Sequence, residues 1–318
     1  MTAQATTAII AWKKLSRRSE LLAKALDAKL WFFSDNLPYF RALLRTLRKI
    51  MSQKPKTIIV QLPQGPLLLE VLILKKLTGC KVVADVHTGF LLPTDWKGLL
   101  LNSPFIKLMR YADLVTAHND AQLELIPANA RDKTIVVFDP WHLIAEGETS
   151  TEIKQEEYIV FPASFASDEP LEEVLNSIKS FNINVKIYIT GNWKRRPEIK
   201  KHASERIVFT GFLTDKEFNS LLEQATAIIT GTKREYTSLM SGWEAVAYGK
   251  PLAVTETRTL KNVFENYAIF YNYRNSESIA HSINELLHQK TNTSAREKLK
   301  NRTIKSLEKL EQKMKELN

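Results

Sequence analysis

The sequence predicts an α/β protein built from two doubly wound domains, and three observations carry that prediction. Strand-like and helix-like segments alternate through both halves of the chain, the pattern of a parallel sheet with helices on both faces. A polar, acidic stretch from Glu146 to Glu157, containing Gly147, separates the two series. The 318 residues, 44% of them hydrophobic, suffice for two ordinary cores.

In the first half, Thr7–Trp12 reads as a strand, Ser19–Ala28 as a helix and Lys29–Phe33 as a strand. Leu37 to Met51 forms an amphipathic helix, because Leu37, Phe40, Leu44, Leu47 and Met51 recur at helical spacing with Arg41, Arg45 and Arg48 on other faces. Thr57–Leu62 follows as a strand, Pro66–Leu77 as a buried helix and Lys81–Val86 as a strand. Ser103–Tyr111 is helical, Leu114–Ala117 a strand, Asp120–Ile126 a helix and Thr134–Phe138 a strand that Asp139-Pro140 ends. Residues 141–157 read as the linker. The second series runs through strand Tyr158–Ala163, helix Leu171–Phe181, strand Val185–Thr190, strand Ile207–Thr210, helix Asp215–Gln224 and strand Ala227–Thr230. A helix bearing Glu244, the strand Leu252–Thr255, the strand Phe270–Tyr273 and the helix Ser276–His288 complete it. The domains are therefore 1–140 and 158–290, followed by a basic helix in 291–318 that packs back on the first domain. Its stripe is Leu307, Leu310, Met314 and Leu317.

Composition excludes several classes. A single cysteine, Cys80, leaves no intramolecular disulfide framework and fits a reducing compartment. The apolar start Ala8–Trp12 is too short for a secretory signal, and no window reaches the roughly 20 apolar residues of a spanning helix. The expected location is cytoplasmic, soluble or peripheral on the inner face of a membrane. The net charge of +10 is uneven: residues 1–56 carry +9 and residues 290–318 carry +5, leaving −4 for the middle. Without interleaved aromatics, a zinc pattern or a helix-turn-helix, these basic ends do not indicate nucleic acid. An anionic membrane surface or an anionic lipid-linked acceptor fits them, as do solvated helix faces. No H-E-x-x-H, paired cysteines or D-x-D loop supports a metal site. No G-x-S-x-G elbow supports a serine hydrolase, and no G-x-G-x-x-G or P-loop supports a dehydrogenase or P-loop enzyme.

The most informative segment is Thr237 to Glu256, TSLMSGWEAVAYGKPLAVTE. Thr237, Ser238, Ser241 and Gly242 lead into the helix of Glu244, which Gly249-Lys250-Pro251 stops. A helix start rich in hydroxyls and free N–H groups suits a diphosphate. A carboxylate about two turns on suits the hydroxyls of a ribose, so the pair points to a nucleotide-linked substrate.

This segment resembles the donor-binding element of GT-B glycosyltransferases, especially family 4, which place two glutamates with seven residues between them, the second opening E-A-x-A-x-G-x-P and a strand. Glu244-Ala245-Val246-Ala247-Tyr248-Gly249-Lys250-Pro251 matches the second half. At the first-glutamate position stands Tyr236, with Glu235 one residue further back. Either an insertion keeps Glu235 in the role or Tyr236 replaces it. The resemblance covers nearly the whole second half and, more loosely, the first. It implies a GT-B fold, two facing Rossmann-like domains with a cleft between them, with the acceptor side in the first domain and the donor side in the second.

The resemblance also implies a UDP- or GDP-sugar donor, transfer with retention, and no metal or other cofactor. Ligands of such sheets bind beyond the carboxyl ends of the strands. Ser164, Asn192, Lys194, Phe212, Leu213, Lys233, Thr237, Ser238, Ser241, Gly242 and Glu244 are accordingly the expected donor-binding residues. Relatives usually carry an Arg and a Lys near Pro162–Pro170, where this chain has Asp168-Glu169. The diphosphate's cation is then sought among Lys194, Arg195, Arg196 and Lys233, or Arg17 and Arg18 in the basic, glycine-free loop after the first strand. Asp85-Val86-His87-Thr88-Gly89 lies where the family often has an active-site histidine. His87 with Glu235 or Tyr236 is the expected catalytic set, and Arg17, Arg18 and Asp85 the acceptor or phosphate side. The expected acceptor is a lipid-linked or cell-surface glycan precursor. A binding subunit with a weakened site and a nucleotide-sugar epimerase of the same fold are the alternatives, while the absence of a pyridoxal-phosphate lysine motif speaks against a phosphorylase.

Overall fold

The computed structural model describes residues 7–94, 96–146, 157–181 and 183–317. The chain divides into two compact units, Met1–Pro140 with Arg302–Asn318, and Trp141–Asn301. Most of the acidic linker, residues 147–156, lies outside the described residues. The segment Trp141–Glu146, expected to open that linker, is a 3-10 helix of the second unit, with Trp141 and Ile144 buried.

The first unit holds strands β1 (Thr7–Trp12), β2 (Lys29–Phe33), β3 (Thr57–Gln61), β4 (Lys81–Val86), β5 (Leu114–Ala117) and β6 (Thr134–Val136). They form one parallel sheet in the order β2-β1-β3-β4-β5-β6. β1, β3 and β5 are buried along their whole lengths, so their continuous apolar runs are those of strands covered on both faces. The chain winds leftwards from β1 to β2 and rightwards from β3, which puts a topological switch point between β1 and β3.

Two expectations are corrected here. The helix read over Ser103–Tyr111 begins earlier, as Trp96–Ile106, and tightens into a 3-10 turn over Lys107–Tyr111. The amphipathic helix is Phe40–Gln53, but it buries Ala42, Thr46 and Ile50, while Phe40, Leu44, Leu47 and Met51 are exposed. Thr46 accepts a hydrogen bond from the indole of buried Trp12 at 3.0 Å, which draws this narrow face onto the sheet.

The second unit repeats the design with β7 (Tyr158–Pro162), β8 (Lys186–Thr190), β9 (Ile207–Gly211), β10 (Ala227–Ile229), β11 (Leu252–Thr255) and β12 (Ala268–Tyr271). Their parallel order is β12-β11-β10-β7-β8-β9, so the switch point lies between β7 and β10. By the rule for open α/β sheets, ligands bind outside the carboxyl ends there.

The last helix, Thr293–Leu317, serves both units. Within the second unit, Arg296 donates to the carbonyls of Val246 and Ala247 at 2.7 Å each, satisfying the C-terminus of the helix Met240–Ala247. Within the first, Leu307, Leu310 and Met314 pack with Ile9, Ile59 and Val83. Ser306 accepts from the Phe138 N–H at 3.1 Å, which turns the chain out of β6 two residues earlier than expected. Leu310→Ala should cost about 2–5 kcal/mol. Hydrogen exchange should then quicken in β1 and β3 and stay unchanged in β7 and β8.

Candidate active site

The carboxyl edge of the second sheet is built from loops that tie one another down. Glu169 closes the loop after β7: its carboxylate accepts from Ser164 N–H (2.8 Å), Ser164 Oγ (2.6 Å) and Phe165 N–H (2.8 Å). Burial raises this carboxyl's pKa above its usual value, although those hydrogen bonds oppose the rise. Asp168 reaches across the switch point, accepting from Thr232 Oγ1 at 2.6 Å, while its carbonyl accepts from Lys233 N–H at 2.7 Å. The acidic pair Asp168-Glu169 thus holds the loops after β7 and β10 together. Gly191, at φ +94°, passes the loop after β8 so close to Ala163 that an added Cβ would sit 2.1 Å from its carbonyl oxygen. That loop leaves Asn192 and Lys194 exposed.

The helix Met240–Ala247 begins beside this rim with no side-chain cap on its N-terminus. Trp243, fully buried, anchors it by stacking on Trp141 (6.3 Å, 3°) and leaning on Phe264 (4.9 Å). Its indole N–H donates to Ser238 Oγ at 3.1 Å, fastening the preceding turn to the helix. Ser241 Oγ lies 2.7 Å from Thr230 Oγ1, at the end of β10. Thr237 Oγ1 donates to the Glu235 carbonyl at 3.3 Å. Glu244 is buried one turn into the helix at 7% exposure. Phe212, after β9, is 84% exposed, and Leu213 beside it is half-buried.

In the first unit a different group forms at the same edge. Arg18 is buried and donates through Nε and Nη2 to Asp85 at 3.0–3.2 Å and through Nη1 to Asp139 at 3.0 Å. Thr116 Oγ1 adds a 2.6 Å bond to Asp85. Burial would raise the Asp85 carboxyl, but Arg18 chiefly, helped by the two imidazoles, holds it well below the usual carboxylate range. His87 Nε2 and His118 Nε2 lie 3.5 and 3.8 Å from Asp85, both buried without a hydrogen-bond partner, with their rings edge-to-face at 4.5 Å. Among the described residues, Asp85, His87 and His118 are the one grouping whose ligand atoms could converge on a metal, within 4.8 Å of one another. Arg18 already occupies the carboxylate and places a fixed positive charge beside it, which opposes a divalent cation.

The model of the family described as "Glycosyl transferases group 1" matches residues 146–306, half of the chain. The chain belongs to this family. Its fold is that of GT-B glycosyltransferases: a glycosyltransferase from Rickettsia africae superposes with a TM-score of 0.71 at 15% identity, covering 99% of each chain. Anabaena HepE in complex with UDP and glucose gives 0.71 at 12%, covering 98% of each. Sucrose-phosphate synthase from Thermosynechococcus elongatus gives 0.67 at 12%, covering 98% of this chain and 96% of its own. No curated protein sequence matches significantly.

For this glycosyltransferase the structure sorts the expected residues. Ser164, Asn192, Lys194, Phe212, Leu213, Lys233, Thr237, Ser238, Ser241 and Glu244 all lie in or just beyond the strand-to-helix loops of the second sheet. Lys233 is paired with Glu173 at 2.5 Å, Arg195 donates to the Ser164 carbonyl, and Arg196 pairs with Glu172 and Glu198. Of these four cations, only Lys194 has no hydrogen-bond or ion-pair partner for its side chain among the described residues. Gly242 packs against the Phe264 ring, from which an added Cβ would lie 2.4 Å. Glu235 is spent inside the unit: its carboxylate accepts from Arg258 N–H (2.9 Å), Thr259 N–H (3.2 Å) and Thr259 Oγ1 (2.9 Å), at the start of the helix Arg258–Phe264. Burial pulls its pKa up, and these donors outweigh it, so the carboxyl stays below its usual value. Tyr236 follows in the left-handed region at φ +64°. In the first unit, Arg18 and Asp85 are committed to each other and do not present free charge to a phosphate, while Arg17 is half-buried beside them. Sequence reasoning missed Asp139, Thr116 and Gln61. Gln61 at the end of β3 pins the basic loop, accepting from Ser16 N–H (2.9 Å) and Ser19 Oγ (2.8 Å) and donating to the Lys14 carbonyl (2.8 Å). Its polar position in an apolar strand, TIIVQ, was the available signal.

Burial first, then Arg18 and His87, lowers the His118 pKa to about 4. A histidine held neutral by the fold contributes its full stability above its ordinary value of 6.5 and loses it as pH falls from there towards 4, at about 1.4 kcal/mol per unit. Melting by circular dichroism should therefore decline across that window, and His118→Gln should flatten the decline. Glu235→Ala should lower stability by about 1 kcal/mol, as loss of a helix cap does, with little change in turnover. A collapse of kcat at unchanged melting temperature would instead make Glu235 catalytic.

Proposed function

We propose that this glycosyltransferase moves a sugar from a UDP- or GDP-sugar to a hydroxyl acceptor, with retention and without a metal. The observation that carries this is the uncapped N-terminus of Met240–Ala247 beside the β7/β10 switch point, with the hydroxyls of Thr237, Ser238 and Ser241 at its entry. Unpaired N–H groups and the positive end of the helix dipole stabilise a diphosphate, and more so the charge that develops as it leaves. Lys194 supplies a mobile cation, Glu244 accepts from the ribose hydroxyls, and the exposed Phe212 stacks on the base. Solved structures of the same fold support a uridine nucleotide: Anabaena HepE with UDP or UDP-glucose, and the S. aureus MnaA–UDP complex.

Because the Glu235 carboxylate is engaged at Arg258 and Thr259, we assign the sugar end to Tyr236, and His87 to the acceptor side. The leaving diphosphate then takes the acceptor proton, so no protein nucleophile is required. The acceptor is a lipid-linked glycan precursor at the cytoplasmic face of a membrane, in cell-surface polysaccharide synthesis. Among the described residues no helix is long and apolar enough to cross a membrane, so attachment there is peripheral. The engaged Glu235 and the loop-closing Asp168 and Glu169 favour one second reading, a binding subunit of the same fold with a weakened site.

Hydrolysis of UDP-, GDP- and CMP-sugars, with and without a chelator, separates these readings: the enzyme turns over one class regardless of chelator, and the binding subunit turns over none. Glu244→Ala should weaken nucleotide binding by about 1–3 kcal/mol in calorimetry. Unchanged affinity removes Glu244 from the ribose site.

A further inference from the structure

Among the described residues, fourteen of the sixteen exposed large hydrophobic side chains lie between Phe32 and Tyr111, and only Phe181 and Phe212 lie elsewhere. Most of them collect on three helices that pack side by side: Phe40–Gln53 against Gly65–Thr78, and Gly65–Thr78 against Trp96–Ile106. On the first helix, Phe40, Leu44, Leu47 and Met51 form one outward stripe. On the second, Leu69, Ile73 and Leu77 repeat every four residues, and Leu77 is 70% exposed. The third adds Trp96, Leu99 and Leu100, at 69%, 54% and 64%. An apolar face of this extent on one unit marks an interaction surface.

The charges name the partner. The three helices carry seven Lys and Arg and one acidic residue, Glu70. Arg45 and Lys75 are paired with Asp35 and Asp113, and among the described residues Arg41, Arg48, Lys49, Lys76 and Lys97 are exposed without a carboxylate partner. Burial pushes the Glu70 carboxyl up to about 8, so the one acidic residue carried by these helices is mostly uncharged at neutral pH. A second copy seated by a two-fold axis would set these cations against their own equivalents. An anionic bilayer takes apolar side chains, an interfacial tryptophan and long cationic side chains together. The third helix also follows His87 through Thr88–Leu91, which packs on it, so the face borders the loop assigned to the acceptor.

We propose that these three helices form a bilayer-inserting face, with the apolar stripes entering the headgroup region of an anionic membrane and the surrounding cations meeting its lipids. This deepens the lipid-acceptor reading and rests on it for its biological sense, while the contact itself is physical and testable alone. The test is sedimentation of the full chain with phosphatidylcholine vesicles, with and without about one-third phosphatidylglycerol, at low and at about 0.5 M salt. The expected result is partition onto anionic vesicles with a fraction surviving high salt, and a loss of about tenfold or more in Phe40→Ser/Leu44→Ser/Ile73→Ser. These side chains are exposed, so the variant's melting curve should match the parent's. Equal partition of parent and variant, absence of the parent from anionic vesicles, or a dimer in sedimentation velocity that the triple variant dissolves would each overturn the proposal. UDP and GDP binding by calorimetry on the same two proteins keeps the readings apart. Absence of both UDP and GDP binding in the parent sinks the donor assignment and leaves the vesicle result standing, and the reverse holds equally.

Discussion

The buried contact of Arg18 with Asp85 and Asp139 is the constraint around which the first unit's functional edge is organised. Three ionised groups withdrawn from water are tolerated only because every one is paired and hydrogen-bonded. Arg18 follows β1, Asp85 ends β4 and Asp139 follows β6, so one guanidinium ties together loops from across the sheet. Removing any partner would leave a buried charge, which makes the cluster resistant to gradual change. It also fixes what lies beside it: the two imidazoles meet a carboxylate whose charge is already neutralised.

The second unit achieves the same rigidity with neutral and acidic groups. Asp168 and Glu169 close the loops at the switch point by accepting from backbone N–H groups and hydroxyls, and Glu235 does so at the next helix. Carboxylates spent this way contribute shape and a modest local negative potential. The helix Met240–Ala247 is held through Trp243 near its start and by Arg296 at its C-terminus. On the proposed reading, the diphosphate site draws on oriented backbone dipoles and on Lys194 more than on a fixed cluster of cations.

Energetic priorities differ again on the outer helices of the first unit. Burying Ala42, Thr46 and Ile50 while leaving Phe40, Leu44, Leu47 and Met51 partly in water forgoes a fraction, about half, of the roughly 1.5–3 kcal/mol that full burial of each large side chain contributes. A chain that keeps its small residues inside and its large ones outside gains nothing for folding from that choice. The stabilisation is recovered only when another apolar phase covers the face.

Alternation and hydrophobic runs sufficed to read twelve strands, two parallel sheets and the Gly249-Pro251 stop from the sequence, because strand and helix periodicities are local and a parallel strand buried on both faces has little freedom of composition. The helix bearing Glu244 was legible for the same reason. Pairing was not. Nothing local distinguishes Arg18, bound to carboxylates 67 and 121 residues away, from an arginine awaiting phosphate. Nor does spacing tell Glu235 as a cap on residues 258–259 from Glu235 facing a sugar, or Gly242 against Phe264 from a glycine making room for a ligand. Amphipathic periodicity found the helix Phe40–Gln53 but could not say which of its faces meets the sheet. Local chain chemistry determined the elements; long-range contact, through Thr46 on Trp12 and Asp85 on Arg18, decided which side chains were used up in folding and which were left for function.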